Sequence, residues 1–247
     1  MTSIFRLLSV SGSGNNCLYV AAATHLLSLI WTESITPRQL DFLHKSLNNY
    51  LDISVPKSQF LAIVENPRNH TDWSLILGVA IRQELQMNSE AGAGEFISQA
   101  VELSERLGIS EMIGIEIQSP LVGVFYRDGG TLQEIPMVIS APSDLRAVNG
   151  KPLIDWVKDK DTLSLYMEGL SGNDAGAHCH YGLLVDTDTF SQDRGFVVHP
   201  EDESRISSES LPGLTQEGCN DPDFDWTSLE VKAVSYTHLT LPTKRIV

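Results

Sequence analysis

Three residue types in this 247-residue chain point to chemistry: a cysteine at the head of a helix, a histidine far downstream, and a glycine loop beside the cysteine. The stretch Ser11-Gly12-Ser13-Gly14-Asn15-Asn16-Cys17-Leu18-Tyr19-Val20 reads as a tight turn running into a helix. Gly12 and Gly14 tolerate left-handed backbone angles, Asn15 and Asn16 favour turns and caps, and helix formers follow without interruption. Cys17 is thereby set at a helix N-terminus, where unpaired N–H groups and the helix dipole stabilise an anionic sulfur. The backbone N–H groups from Gly14 through Asn15 and Asn16 to Cys17 can also receive an oxyanion. The alternative for Cys17 is a small apolar residue opening a buried helix.

A thiol nucleophile needs a base that is close in space and not necessarily in sequence. The segment His178-Cys179-His180-Tyr181-Gly182-Leu183-Leu184-Val185 has the short apolar run of a buried strand, and Asp161 to Met167 alternates with period two just before it. The two are expected to pair through the loop from Gly169 to Gly176. His178 and His180 fall on the same strand face, so alternation alone does not choose between them.

These segments resemble the ovarian-tumour (OTU) class of cysteine deubiquitinases, in which a Gly-x-Gly-Asn-Cys-Leu-type loop opens a helix and a His-Tyr or His-Trp pair sits on a late strand. The matching residues are Gly12 to Tyr19 and His180-Tyr181-Gly182-Leu183-Leu184. The resemblance selects His180 as the base and implies a papain-like α/β (α+β) fold: a central helix bearing Cys17, a small, mostly antiparallel sheet bearing His180, and a helical insertion like that of bacterial-effector members. Two looser echoes are Leu77 to Arg82, similar to the family's helix with an apolar-Arg step, and Met112 to Gln118, similar to its Gly-x-x-x-Glu-type helix. Two positions depart from the pattern. Ser13 stands where the usual loop has Asp, and Gly182 stands where many members carry an Asp or Asn that orients the histidine. Asn173, Asp174, Ser13 and Asp186 are the candidates for a third member.

The elements that position these residues follow from local patterns. Residues 18–31 are apolar nearly all round, as for a central buried helix, and are too few for the roughly 20 that span a bilayer. His25, two turns beyond Cys17, reads as structural. Thr36-Pro37 opens a helix with Leu40, Leu43, Leu47 and Leu51 at helical spacing. A shorter helix follows from Pro56 to Val64, then one from Trp73 to Met87 capped by Asp72 and one from Glu95 to Leu107 closed by Gly108. The span 35–110 is thus a helical lobe, which the resemblance makes a ubiquitin-binding arm framed by acids such as Glu84, Glu90 and Glu95. From Leu121 the chain turns to strands, with Pro136 confining its run to an edge or bulge. A short helix is expected around Ile154 to Val157, and a last strand or covering segment at Gly195 to His199.

Composition bounds the partners. There are 32 acidic and 17 basic residues, a net charge of −15, so a general nucleic-acid binder is excluded and a basic protein partner is favoured. The three cysteines, Cys17, Cys179 and Cys219, have neither CxxC nor zinc spacing, which fits a reducing, cytoplasmic compartment, or a host cytosol for a secreted effector. No metal, organic cofactor or membrane contact is implied, and a monomer acting on ubiquitin or polyubiquitin is expected. The domain is expected to occupy residues 1–200. Residues 201–231 form an acidic tail with few large apolar residues, and residues 232–247 shift abruptly to basic and β-branched types that resemble translated adapter read-through. Two rival functions remain open, another papain-like thiol hydrolase or transferase and a catalytically inactive ubiquitin-binding module, alongside a plain interaction domain with a structural Cys17.

Overall fold

A computed structural model describes residues 5–10, 15–66, 70–87, 96–118, 121–128, 131–139, 147–168 and 180–190. The fold is mixed α/β, with six helices among the described residues and one main sheet. Strand β1 (Phe5–Ser9) leads to α1 (Cys17–Trp31), followed by α2 (Pro37–Leu51), α3 (Lys57–Val64), α4 (His70–Leu85) and α5 (Phe96–Arg106). Then come β2 (Glu111–Gln118), β3 (Leu121–Asp128), β4 (Thr131–Ile139), the short pair β5 (Ala147–Val148) and β6 (Lys151–Pro152), α6 (Leu153–Lys158), β7 (Thr162–Glu168) and β8 (His180–Asp186).

The main sheet has the order β1-β8-β7-β2-β3-β4. Only β2 and β7 pair in parallel; the other neighbours are antiparallel, as a mostly antiparallel sheet requires. The first and last described strands, β1 and β8, therefore lie side by side, and β1 is an edge. Pro136 lies in the opposite edge strand, β4, where a missing N–H costs no ladder bond, and the register slips between Val122 and Val124 of β3 across from it.

Apolar alternation divides the strands between two cores. Tyr181, Leu183 and Val185 of β8 and Leu163, Leu165 and Met167 of β7 join the helices α1 to α5 in one cluster. Phe5, Ile113, Ile115, Val124, Tyr166 and Leu184 face the other way, onto Leu153 and Trp156 of α6. The helices of residues 35–110 share the larger core with α1 and the sheet, through Leu43, Leu47, Phe60, Trp73, Leu77 and Leu103.

The helix signals act as expected. Thr36 and Gln39 form a reciprocal capping box with Pro37 at the first helical position, and Gly108, at φ 68°, follows α5. The described part of α4 opens at His70, two residues before Asp72, and the buried His70 ring packs edge-on against Trp31 at 6.3 Å. The likeness of Met112 to Gln118 to a helix is corrected: this segment is β2, one of the two innermost strands. Ile113, Ile115 and Ile117 alternate with period two, and Gly114 is required because a Cβ there would lie 1.8 Å from the Phe125 ring opposite.

Candidate functional site

Cys17 is the first residue of α1 and is buried, at 8% exposure. The turn before it is held by a residue from α4. α1 and α4 pack closely where Gly78 meets Val20; a Cβ on Gly78 would lie 2.8 Å from the Val20 nitrogen. Arg82, four residues beyond Gly78, then meets Asn16, four residues before Val20, and donates from a guanidinium N–H to the Asn16 Oδ1 at 2.6 Å. The Asn16 carbonyl accepts from the Val20 N–H at 2.9 Å, so both ends of this residue are fixed. With its side chain turned to Arg82, Asn16 makes no side-chain cap on α1, and the N–H groups of the first turn are not taken up by it. Asn15 is left-handed at φ 60°. Gly14, with Gly12 and Ser13, lies outside the described residues.

The Arg82 guanidinium also lies 5.6 Å from the centre of the Tyr19 ring. Burial pushes the Tyr19 phenol up, an effect the Arg82 charge opposes, and burial pulls Arg82 itself down. Arg82 thus holds a cation against Asn16 and Tyr19, on either side of Cys17 in the chain.

His180 opens β8. α1 and β8 pack directly on one another, and a cavity of about 60 Å³ at one end of the pair is lined by Ser28 of α1 and Val185 of β8. Cys17 opens α1 and His180 opens β8, so the two candidates stand at the first residues of two elements that pack on one another. They belong to different sides of the sheet, Cys17 lying in the α1 core. Tyr181 is fully buried in the α1 core, so alternation turns the neighbouring His180 to the other face, with Gly182 and Ser9. There the His180 Nε2 lies 3.3 Å from the Ser9 Oγ.

Of the candidates for a third member, Asp186 is at the far end of β8, about 20 Å from His180, and accepts from the N–H groups of Asp188 and Thr189 at 3.0 and 2.8 Å. Ser13, Asn173 and Asp174 lie outside the described residues, as do His178, Cys179, Cys219, Glu90, Glu95 and everything from residue 191 on. Glu84 is committed within the helical layer: it accepts from Lys45 at 2.7 Å and from Asn49 at 2.8 Å, and these bonds hold its carboxyl below its usual range.

Two polar groups escaped the sequence reading. Ser9 acquires a role only through strand register, which pairs it with Gly182. Arg127 is buried between α5 and β3, donating to the Ser104 Oγ at 2.9 Å and the Ile109 carbonyl at 2.8 Å; a lone arginine in an apolar strand was the available signal. His25 is structural, as expected: its ring bonds to the Lys160 backbone, its Nε2 is enclosed without a partner among the described residues, and burial pushes its pKa down to about 4.

No group of His, Cys, Asp and Glu among the described residues is arranged to hold a metal ion, and no described helix is long and apolar enough to cross a membrane. No protein-family model, curated protein or solved structure matches the chain.

Proposed function

We propose that this protein is an OTU-type thiol hydrolase that cleaves ubiquitin isopeptide bonds, with Cys17 as nucleophile and His180 as base. The observation that supports the reading is a clamped helix N-terminus bearing Cys17 on an element that packs directly on the strand His180 opens. In the proposed reaction His180 takes the thiol proton, and the sulfur attacks the carbonyl of the C-terminal glycine of ubiquitin. The tetrahedral oxyanion rests on N–H groups between Gly14 and Cys17. His180 then returns the proton to the leaving lysine amine, and water hydrolyses the thioester. Ubiquitin docks on the helical layer formed by residues 35–110, because the Cys and His segments are too short to bury the roughly 800 Å² per partner of a specific interface. The activity belongs in a reducing compartment, the protein's own cytoplasm or a host cytosol.

Ubiquitin propargylamide tests this. Wild-type protein is expected to form a covalent adduct through Cys17, Cys17→Ala none, and His180→Ala one that forms far more slowly. Binding without an adduct would make the protein an inactive ubiquitin-binding module. Neither adduct nor binding would leave a different acyl donor or a plain interaction domain.

A further inference from the structure

In the resembled family the group that orients the histidine is often two residues further along its strand, and here that place is closed. Position 182 is glycine, and a Cβ on it would lie 2.2 Å from the Tyr166 ring, which leans over from the paired residue of β7. No aspartate or asparagine can stand there without displacing a buried tyrosine.

The neighbouring strand on the other side offers a substitute. Ser9, the last residue of β1, is the register partner of Gly182, so Ser9, Gly182 and Tyr166 form a row across β1, β8 and β7. Cross-strand neighbours on one face lie close enough for short side chains to reach diagonally. The Ser9 hydroxyl does so: it is 3.3 Å from the His180 Nε2, one diagonal step from its own partner.

We propose that Ser9 is the positioning residue for His180, its hydroxyl oxygen accepting a hydrogen bond from Nε2–H so that Nδ1 carries the lone pair that serves as base. The proposal rests on the hydrolase reading above. A hydroxyl that accepts from the ring N–H holds the ring plane as a carboxylate does, but it can also donate, and it places no negative charge beside the imidazolium. Tyr166 then has a second role: by filling the space over Gly182 it keeps the orienting group on the edge strand.

The test compares Ser9→Thr with Ser9→Val, which have the same shape and differ in the hydroxyl, together with Ser9→Ala. Ser9 is exposed, and all three variants are expected to unfold at the wild-type midpoint in urea. With ubiquitin propargylamide, Ser9→Thr is expected to label within about twofold of wild type, and Ser9→Val and Ser9→Ala about three- to tenfold more slowly, the fold-change worth one net hydrogen bond. The upper limb of the pH–labelling profile should also move to lower pH in Val and Ala alone, because the imidazolium has lost an acceptor. Equal rates and profiles for Thr and Val, with wild type labelled normally, would overturn the role of Ser9 and leave the hydrolase reading standing. A wild-type protein that is not labelled at all would overturn both.

Discussion

Removing the bond between Arg82 and Asn16 from either side probes how the turn before Cys17 is held. The donor is charged, the contact is 2.6 Å and Asn16 is 8% exposed, so water replaces little of what is lost. A hydrogen bond to a charged group contributes about 1.5–3 kcal/mol, and leaving a buried partner unpaired costs about 1–3 kcal/mol. Asn16→Ala is therefore expected to cost about 2 kcal/mol. Arg82→Leu should cost about 3 kcal/mol, since it also strips the cation from the Tyr19 ring, a contact worth about 0.5–1 kcal/mol. The double variant should cost little more than Arg82→Leu alone, giving a coupling energy near 2 kcal/mol in a double-mutant cycle read by urea denaturation at constant m-value. Labelling by ubiquitin propargylamide should slow by about 10²-fold in each variant, because a displacement of about 1 Å at the reacting atom is enough for that loss. A coupling below about 0.5 kcal/mol, or unimpaired labelling in a folded Arg82→Leu protein, would refute the idea that α4 sets the geometry of the nucleophile.

Other perturbations have equally definite outcomes. Folding lowers the pKa of His25 from 6.5 to about 4, so the unfolded chain binds the proton at higher pH than the native one. Stability should accordingly fall as pH drops from about 6.5 through about 4, by at most about 1.4 kcal/mol per unit, and His25→Gln should flatten that slope in urea titrations across the range. Gly78→Ala should destabilise by about 1–3 kcal/mol in thermal or urea unfolding, since its Cβ meets the Val20 backbone and not a side chain that can turn aside. Thr36→Ala should cost about 1 kcal/mol by the same assay through loss of the capping box at α2.

How much could be read beforehand depended on the range of the interaction. α2, α3 and α5 were legible because Thr36-Pro37, Pro56 and Gly108 act on their own neighbours in the chain. The same holds for Cys17 at a helix start and for His180 on a strand paired with Thr162–Glu168. Met112 to Gln118 is a strand because the period-two alternation of Ile113, Ile115 and Ile117 outweighs the segment's likeness to a Gly-x-x-x-Glu-type helix. The reason for Gly114, the Phe125 ring, sits on another strand. Ser9 and the Arg82–Asn16 bond were invisible for a like reason: register and helix packing join residues 171 and 66 positions apart, and no local pattern records either pairing.

The pairing of β1 with β8 also governs when the molecule can be completed. β1 has five residues, lies at the edge of the sheet and has no described neighbour but β8, so it has no ladder to join until the far strand has been made. Cys17 emerges 163 residues ahead of His180, a gap of on the order of ten seconds or more at ordinary ribosome speed. A nascent or truncated chain that stops short of residue 180 carries Cys17 without the proposed base, with the β8-facing side of α1 bare. The proposed activity thus requires synthesis through β8, and fragments ending before that strand are expected to show no labelling and to aggregate through the apolar surface that α1 leaves uncovered.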